Sequence, residues 1–185
     1  MSHIPVLLEE SIDFLRIIPG GNYFDGTYGE GGHSNAILKN LNKEGRLFAT
    51  DLDLGAIEIA KKNMVDNRFS IFHSSFSNIK HLDIPHLDGA IFDFGMSSNQ
   101  LDDPSRGFSF KNNGPIDMRM NTESDANLKK WINNASENEI EDVIRQFGEE
   151  SNAKKISKKI IEVRQNKSIN DTPVSSTHLR DHETS

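Results

Sequence analysis

Short apolar runs alternate with stretches of helical periodicity through residues 5–94 of the chain. The apolar runs predict four strands, which lie at 23–24, 46–50, 69–73 and 89–94. Helical spacing of apolar side chains predicts three helices, which lie at 5–16, 34–41 and 54–64. Residues 77–87 fit either a short helix or a loop. This alternation predicts an α/β fold in which helices cover both faces of a parallel sheet.

The pattern changes in residues 96–120, which are rich in Ser, Asn, Asp, Gly and Pro and form a long loop of the kind that usually has a function. Three helices are predicted to follow, at 124–134, 136–147 and 150–166. Ser136 and Glu139 form a capping box at the start of the second of these helices. Its apolar face consists of Ile140, Val143, Ile144 and Phe147. Residues 168–185 are polar and aperiodic, which predicts a loose tail.

A glycine-rich segment follows the first predicted strand. The apolar run ends at Asp25, and four glycines come within the next seven residues: Gly26, Gly29, Gly31 and Gly32. A strand, a glycine loop and a helix in this order are typical of a nucleotide-binding turn, because glycine tolerates positive φ and lets a ligand approach closely. The N–H groups at the helix start can then bind an anion. The alternative is a flexible loop that binds nothing.

Asp51 ends the second predicted strand, 22 residues after Gly29. A carboxylate at this position can accept hydrogen bonds from both ribose hydroxyls of an adenosine cofactor, so nicotinamide and adenosylmethionine cofactors both fit. The loop lacks the strict Gly-x-Gly-x-x-Gly spacing of dinucleotide sites. A cofactor without a pyrophosphate does not require that spacing, so the loop favours adenosylmethionine. The alternative interpretation of Asp51 is an ordinary aspartate in a turn.

The segment Asp93-Phe94-Gly95-Met96-Ser97-Ser98 follows the fourth predicted strand. Ligands of doubly wound sheets bind at the carboxyl ends of strands, so we expect this segment to lie beside the glycine loop. Its carboxylate and hydroxyl groups can accept hydrogen bonds from an exocyclic amino group. A solvated loop at a strand end is the alternative.

Composition narrows the class of protein. The 185 residues suffice for one domain, alone or with a small extension, and no apolar run approaches the roughly 20 residues of a membrane span. The N-terminal residues do not resemble a signal peptide. The absence of cysteine excludes disulfides and thiolate metal sites and is compatible with a reducing cytoplasm. We therefore expect a cytoplasmic protein with no membrane partner.

Charge is unevenly distributed along the chain, whose net charge is −7. Residues 121–150 contain eight acids and three bases, whereas residues 151–168 contain six bases and one acid. A local basic face of this kind can attract RNA even when the whole protein is acidic. A solvated acidic face beside a solvated basic face is the alternative.

Five motifs occur in a fixed order along the chain. The first two are His3-x-Pro5-Val6-Leu7-Leu8-x-Glu10 and Asp25-Gly26-Thr27-x-Gly29-x-Gly31-Gly32-His33-Ser34. The others are Asp93-x-Gly95-x-Ser97-Ser98-x-Gln100-Leu101-Asp102, Arg106-Gly107-Phe108-Ser109-Phe110 and Gly114-Pro115-x-Asp117-Met118-Arg119-Met120. Together they resemble the RsmH (MraW) family of bacterial methyltransferases, which act on N4 of a cytidine in 16S ribosomal RNA. The resemblance extends from His3 to about Asn166, with Phe94, Met96 and Asn99 where Leu, Val and Pro are commoner.

The resemblance implies a Rossmann-like class I methyltransferase sheet, incomplete in this chain, with an inserted α-helical substrate-recognition domain. Residues 1–120 would form the methyltransferase core, 121–168 the helical insert and 169–185 an unmatched tail. S-adenosyl-L-methionine would be the cofactor and 16S rRNA in the small ribosomal subunit the partner; a homodimer is compatible with this assignment. The cofactor-binding residues implied by motif position are Gly31, Gly32, His33, Asp51, Phe76, Asp93 and Gln100. His33 and the two glycines would contact the methionine end, Phe76 and Asp93 would flank the adenine, and Gln100 would close over the site.

Methyl transfer to N4 of cytosine calls for an acceptor that removes the amino proton, because the nitrogen lone pair is conjugated into the ring. The candidates are Asp93, Ser97 and Asp117. Phe108 and Phe110 are candidate stacking surfaces for the unstacked base. Arg106, Arg119 and the basic face at 154–167 are candidate phosphate contacts.

A methyltransferase sheet of this class has seven strands, and the pattern predicts four. We therefore expect a truncated or frame-shifted product of low activity, whose fourth strand exposes an apolar edge. Two other functions are considered: a non-catalytic fragment that binds cofactor or RNA, and a nicotinamide-dependent dehydrogenase.

Overall fold

The structure, a computed structural model, describes residues 5–109 and 111–172. These residues form two compact units. The first unit contains the described residues up to Ser97 and also Met120–Thr122, and the second contains Ser98–Arg119 and the described residues from Glu123 onward. By packing, the segment after Ser97 therefore belongs with the helices that follow it. The functional division at residue 120 remains a prediction.

The first unit is built on a parallel sheet of four strands. The strands are β1 (Asn22–Asp25), β2 (Arg46–Asp51), β3 (Phe69–His73) and β4 (Gly89–Ile91). Their order is β3-β2-β1-β4, so the direction of winding reverses between β1 and β4. This arrangement confirms the predicted α/β class with an incomplete Rossmann-like sheet, and β4 forms one edge, as expected. The fourth strand ends three residues earlier than predicted, at Ile91 instead of Phe94.

Three helices of the first unit pack on one face of the sheet. They are α1 (Leu8–Leu15), α2 (Gly32–Asn40) and α3 (Leu54–Asn63). Their apolar side chains contact strand positions that are in register, Tyr23 with Leu47 and Ala49 with Ile71. The expectation that helices cover both faces is therefore wrong for these elements. The reason is that right-handed crossovers from β1 to β2 and from β2 to β3 run in one direction and so leave α2 and α3 on the same side. The connection from β3 to β4 contains a 3₁₀ turn at Phe76–His81.

The main core lies between α1, α2 and the centre of the sheet. Tyr23, Ile37 and Leu47 are at most 1% exposed, and the phenol of Tyr23 accepts a hydrogen bond of 2.7 Å from the N–H of Ile18. A second cluster of small residues, Ala49 with two alanines of α3, lets that helix approach the sheet closely. Burial of large apolar side chains at the strand centres is the main stabilising contribution in this unit.

The second unit consists mainly of helices. They are α4 (Ser98–Asp102), α5 (Leu128–Asn134), α6 (Glu137–Gly148) and α7 (Ala153–Asn166). The predicted capping box at Ser136 and Glu139 is present. The predicted apolar face of α6 is only partly buried, because Ile140 is 1% exposed whereas Val143 is 39% and Phe147 80% exposed. In the part of the chain that the structure describes, no helix has both the length and the apolar composition needed to cross a membrane.

The predicted loose tail is wrong for residues 168–172. The side-chain amide of Asn133 donates to the carbonyl of Ile169 at 2.7 Å and accepts from its N–H at 2.9 Å. Ile169 is 1% exposed, and Pro115 forms an antiparallel bridge with Asp171. The segment is thus held by burial of the Ile169 side chain and by the Asn133 amide, which forms hydrogen bonds with both backbone groups of Ile169. The rest of the predicted tail, 173–185, lies outside the described residues.

Truncation of Leu47 tests the position of the main core. Leu47→Ala should lower the free energy of unfolding by about 2–5 kcal/mol, because a fully buried leucine is replaced by a cavity. Val65→Ala is the matched control and should change it by less than about 0.5 kcal/mol, since Val65 is 93% exposed. Urea titration followed by circular dichroism measures both. Equal midpoints for the two variants would contradict the assignment of Leu47 to the core.

Candidate functional site

The candidate site lies at the carboxyl ends of β1 and β4, where the winding of the sheet reverses. The N–H of Gly26 donates to the carbonyl of Ile91 at 2.9 Å, and the N–H of Asp93 donates to the hydroxyl of Thr27 at 2.6 Å. The predicted proximity of the glycine loop to the segment after β4 is therefore confirmed. Sequence spacing alone assigns no role to Thr27, although its place between Asp25 and Gly29 in the loop is a usable signal.

A buried carboxylate organises the start of the loop. Asp25 is 1% exposed and accepts hydrogen bonds from the hydroxyl of Ser34 at 2.6 Å and the N–H of Thr27 at 3.1 Å. Burial raises the pKa of the Asp25 carboxyl, and the hydrogen bond from Ser34 opposes that increase. Because Ser34 lies on α2, this carboxylate joins the end of β1 to the first turn of the helix.

The glycine loop needs glycine at two positions in particular. Gly29 has φ of 55° and Gly31 has φ of 80°, and a side chain at Gly31 would collide with the ring of Tyr28. The helix begins at Gly32, earlier than predicted, with Gly31 at its N-cap and no N-cap side chain to accept from its first N–H groups. His33 therefore lies in the first turn and is 7% exposed. Such a helix start presents backbone N–H groups to an anion.

Asp51 is held at the carboxyl end of β2 by two backbone groups. One oxygen accepts from the N–H of Gly29 at 2.8 Å, and the other accepts from the N–H of Asp53 at 2.8 Å. A carboxylate oxygen can accept more than one hydrogen bond, so the partly exposed Asp51 fits a pair of neighbouring hydroxyl groups. The acceptor that this site offers, a fixed carboxylate beside a glycine loop, thus fits the hydroxyl groups of an adenosine ribose.

Asp93, His33 and Ser97 are further predicted site residues of the first unit. The Asp93 carboxylate is 54% exposed, and one of its oxygens lies 3.8 Å from Nδ1 of His33. Ser97 is half-buried at the end of this unit. The structure thus brings His33 and Asp93 together at the loop, with the Asp93 backbone anchored by Thr27.

Phe76 belongs to an aromatic cluster at the same edge of the sheet. Its ring centroid lies 5.4 Å from that of Phe92 and 5.7 Å from that of Phe94. Sequence periodicity alone assigns Phe76 to the core and includes the other two rings in β4. In the structure both rings lie beyond the end of the strand, and a side chain at Gly26 would collide with Phe92. The spacing Phe-x-Phe directly after a strand was the available signal.

The remaining predicted residues lie in the second unit. Sequence pattern alone assigns Gln100 to a surface loop, but in the structure it is on α4 and is 7% exposed. The guanidinium of Arg119 donates two hydrogen bonds to Asp117, and this pairing lowers the pKa of the Asp117 carboxyl. Phe108 is 6% exposed, which excludes it as an open stacking surface in this conformation. Phe110 lies outside the described residues.

The two candidate phosphate contacts at Arg106 and Arg119 are engaged within the second unit. Arg119 donates to the carbonyl of Ser124 at 2.8 Å in addition to its bonds with Asp117. Arg106 donates to the carbonyl of Arg119 at 3.0 Å. These guanidinium groups therefore brace the loop that contains Asp117.

Curated relatives of this chain share close to half of its aligned residues. Ribosomal RNA small subunit methyltransferase H of Legionella pneumophila (strain Corby) is 48% identical over 176 residues, covering 92% of this chain and 57% of the relative. The protein of the same name from Mycoplasma mycoides subsp. mycoides SC is 46% identical over 168 residues, covering 88% of this chain and 54% of the relative. The chain thus spans little more than half the length of these relatives.

A family model, described as the MraW methylase family, matches residues 1–179. The match extends beyond Asn166, where the resemblance described above ends, and it includes residues 169–179 of the tail that the resemblance leaves unmatched. It also contains the glycine loop, Asp51 and the segment after β4. The chain belongs to the MraW methylase family.

Proposed function

We propose that this chain provides the S-adenosyl-L-methionine site of a methyltransferase that modifies N4 of a cytidine in 16S ribosomal RNA. The observation that carries the proposal is the Asp51 carboxylate, fixed by the N–H groups of Gly29 and Asp53 beside a glycine loop at the switch point of the sheet. The name shared by the curated relatives supports ribosomal RNA as the substrate. A ribosomal substrate implies a cytoplasmic location.

The cofactor would bind across the carboxyl edge of the sheet. Asp51 would accept hydrogen bonds from the ribose hydroxyls, and Phe76 and Asp93 would flank the adenine. Gly31, Gly32 and His33 would contact the methionine end, whose carboxylate suits the N-terminus of α2. Gln100 is the last of the cofactor-binding residues that the resemblance implies. When bound, adenosylmethionine supplies a methyl group activated by a positively charged sulfur.

The residues of the chain would position the cytosine amino group and receive its proton. Asp93, Ser97 and Asp117 are the candidate acceptors. Arg119 holds the pKa of the Asp117 carboxyl below its usual value, which makes this carboxylate a poorer proton acceptor. Asp93 is more than half exposed and has an anchored backbone, so it is the favoured acceptor. Most of the rate acceleration would come from holding donor and acceptor in line.

The helical segment 121–168 would recognise the RNA. Lys154, Lys155 and Lys158 are exposed on α7, and they lie on neighbouring turns of one helix face. Lys159 is paired with Glu162 at 3.4 Å, and Arg164 donates to the carbonyl of Ile132 at 2.8 Å. The three exposed lysines are therefore the favoured phosphate contacts of this helix.

Replacement of Asp51 tests the cofactor site. Asp51→Asn should weaken S-adenosylhomocysteine binding by roughly 10-fold or more, because a charged acceptor of two hydroxyl hydrogen bonds becomes a neutral amide. Isothermal titration calorimetry on the 185-residue chain measures the effect. Glu58→Gln removes one charge from an exposed position of α3 and should leave the affinity unchanged.

A ligand variant separates ribose recognition from a general structural effect. The 2′-deoxy analogue of S-adenosylhomocysteine should bind the wild-type chain more weakly than the parent compound does. The Asp51→Asn variant should bind the two compounds with equal affinity. Failure of the wild-type chain to bind S-adenosylhomocysteine would overturn the proposed cofactor site. Transfer of labelled methyl to 30S particles that lack the modification then distinguishes an enzyme from a fragment that only binds cofactor or RNA.

Removal of the α7 lysines tests the RNA-binding helix. Combining Lys154→Gln, Lys155→Gln and Lys158→Gln should weaken binding of a 16S rRNA fragment and make its salt dependence shallower, by about 0.7 in log–log slope for each lost phosphate contact with single-stranded RNA. The control variant combines Lys39→Gln, Lys61→Gln and Lys62→Gln, which removes the same charge from exposed positions of α2 and α3. Equal salt slopes for the two variants would assign RNA binding elsewhere.

A further inference from the structure

Four phenylalanine rings form a continuous cluster at the carboxyl end of β4. Phe92 lies at its centre, 6.0 Å from Phe24 and 5.4 Å from Phe76 between ring centroids, and both pairs are edge-to-face. Phe94 lies 6.0 Å from Phe92 at an interplanar angle of 17°, which is a stacked arrangement. The cluster therefore ends in two nearly parallel rings.

Exposure increases steadily from one end of this cluster to the other. Phe24 is fully buried, Phe92 is 42% exposed and Phe94 is 72% exposed. Most of the outer ring is therefore in contact with water, although it has two aromatic neighbours, Phe76 and Phe92. A stacked pair whose outer member is this exposed offers its free surface to another flat ring.

The backbone that carries the two outer rings is anchored to the glycine loop. The N–H of Asp93, between the two rings in sequence, donates to the Thr27 hydroxyl at 2.6 Å, and the residue before Phe92 accepts from the N–H of Gly26 at 2.9 Å. Phe92 packs so closely over Gly26 that a side chain at that glycine would collide with the ring. The stacked rings are thus held in position before any ligand binds.

We propose that Phe94, supported by Phe92, is a positioning residue that stacks on a nucleobase. The inference rests on the proposed function, which brings two bases to this edge of the sheet: the adenine of the cofactor and the target cytosine. Both bases have an exocyclic amino group, and the neighbouring Asp93 carboxylate is an exposed acceptor for such a group. Stacking fixes the plane of the base, and the carboxylate fixes its rotation within that plane.

Replacement of Phe94 by a side chain without a ring tests the stacking role. Phe94→Leu should weaken binding of S-adenosylhomocysteine or of an oligocytidylate RNA hexamer by roughly 5-fold or more, whereas Phe94→Tyr, which retains the ring, should bind both normally. The matched control is Phe14→Leu, since Phe14 is 87% exposed on α1 of the same unit. Calorimetry measures the first probe and fluorescence anisotropy the second. The weakened probe identifies the base that stacks on Phe94.

Nuclear magnetic resonance of the bound base distinguishes stacking from a purely structural role, because only a stacked ring changes the chemical shifts of the base protons. The ring protons of the stacked base should shift upfield in the wild-type chain and in Phe94→Tyr, and this shift should be lost in Phe94→Leu. If thermal melting shows that the leucine variant unfolds, Phe94→Met provides the same comparison with a longer apolar side chain.

Two results would overturn the inference, and they differ in what they say about the proposed function. Normal binding of both probes by Phe94→Leu, with an unchanged base spectrum, would remove Phe94 from the site and leave the proposed function intact. If the wild-type chain binds neither S-adenosylhomocysteine nor the oligocytidylate hexamer, the proposed function and this inference are overturned together.

Discussion

The buried carboxylate of Asp25 is the constraint on which the rest of the candidate site depends. It lies at the end of β1, where removal from water is costly, and burial accordingly raises the pKa of this group. Donors from Thr27 in the loop and Ser34 in α2 offset part of that cost. Both donors reach Asp25 only when the glycine loop takes its observed path, so the satisfaction of one buried charge selects the conformation of the whole turn.

The other strand ends are tied to the same loop. The hydroxyl of Thr50, in β2, donates to the carbonyl of Gly26 at 3.0 Å, and the N–H of Gly29 donates to Asp51. The backbone that follows β4 is bonded to the loop through Thr27. A loop that is bonded to three neighbouring strands keeps its shape without a ligand, which is the condition for a preorganised binding site. The aromatic cluster then covers the side of the loop at which Gly26 lacks a side chain.

Periodicity locates β2 and β3 to within one residue because both strands are short apolar runs with polar ends. It extends β4 too far, since Phe92 and Phe94 lie beyond the end of the ladder, where Phe92 packs over Gly26 and Phe94 stacks on Phe92. The same method misses the docking of Ile169, which depends on Asn133, 36 residues away. Local pattern thus predicts elements well and fails where a contact joins distant parts of the chain.

The sequence by itself determined the α/β class, the glycine-rich turn after β1, the position of Asp51 and the family, because hydrophobic period and motif spacing are properties of neighbouring residues. Tertiary structure alone decided that α1, α2 and α3 share one face of the sheet and that Gln100 is buried. It also decided that the Arg119 guanidinium donates hydrogen bonds to the Asp117 carboxylate. It also decided that the exposed ring of Phe94 stacks on the ring of Phe92. Burial and hydrogen-bond partners are supplied by residues far apart in the chain, so they exist only after the chain has folded.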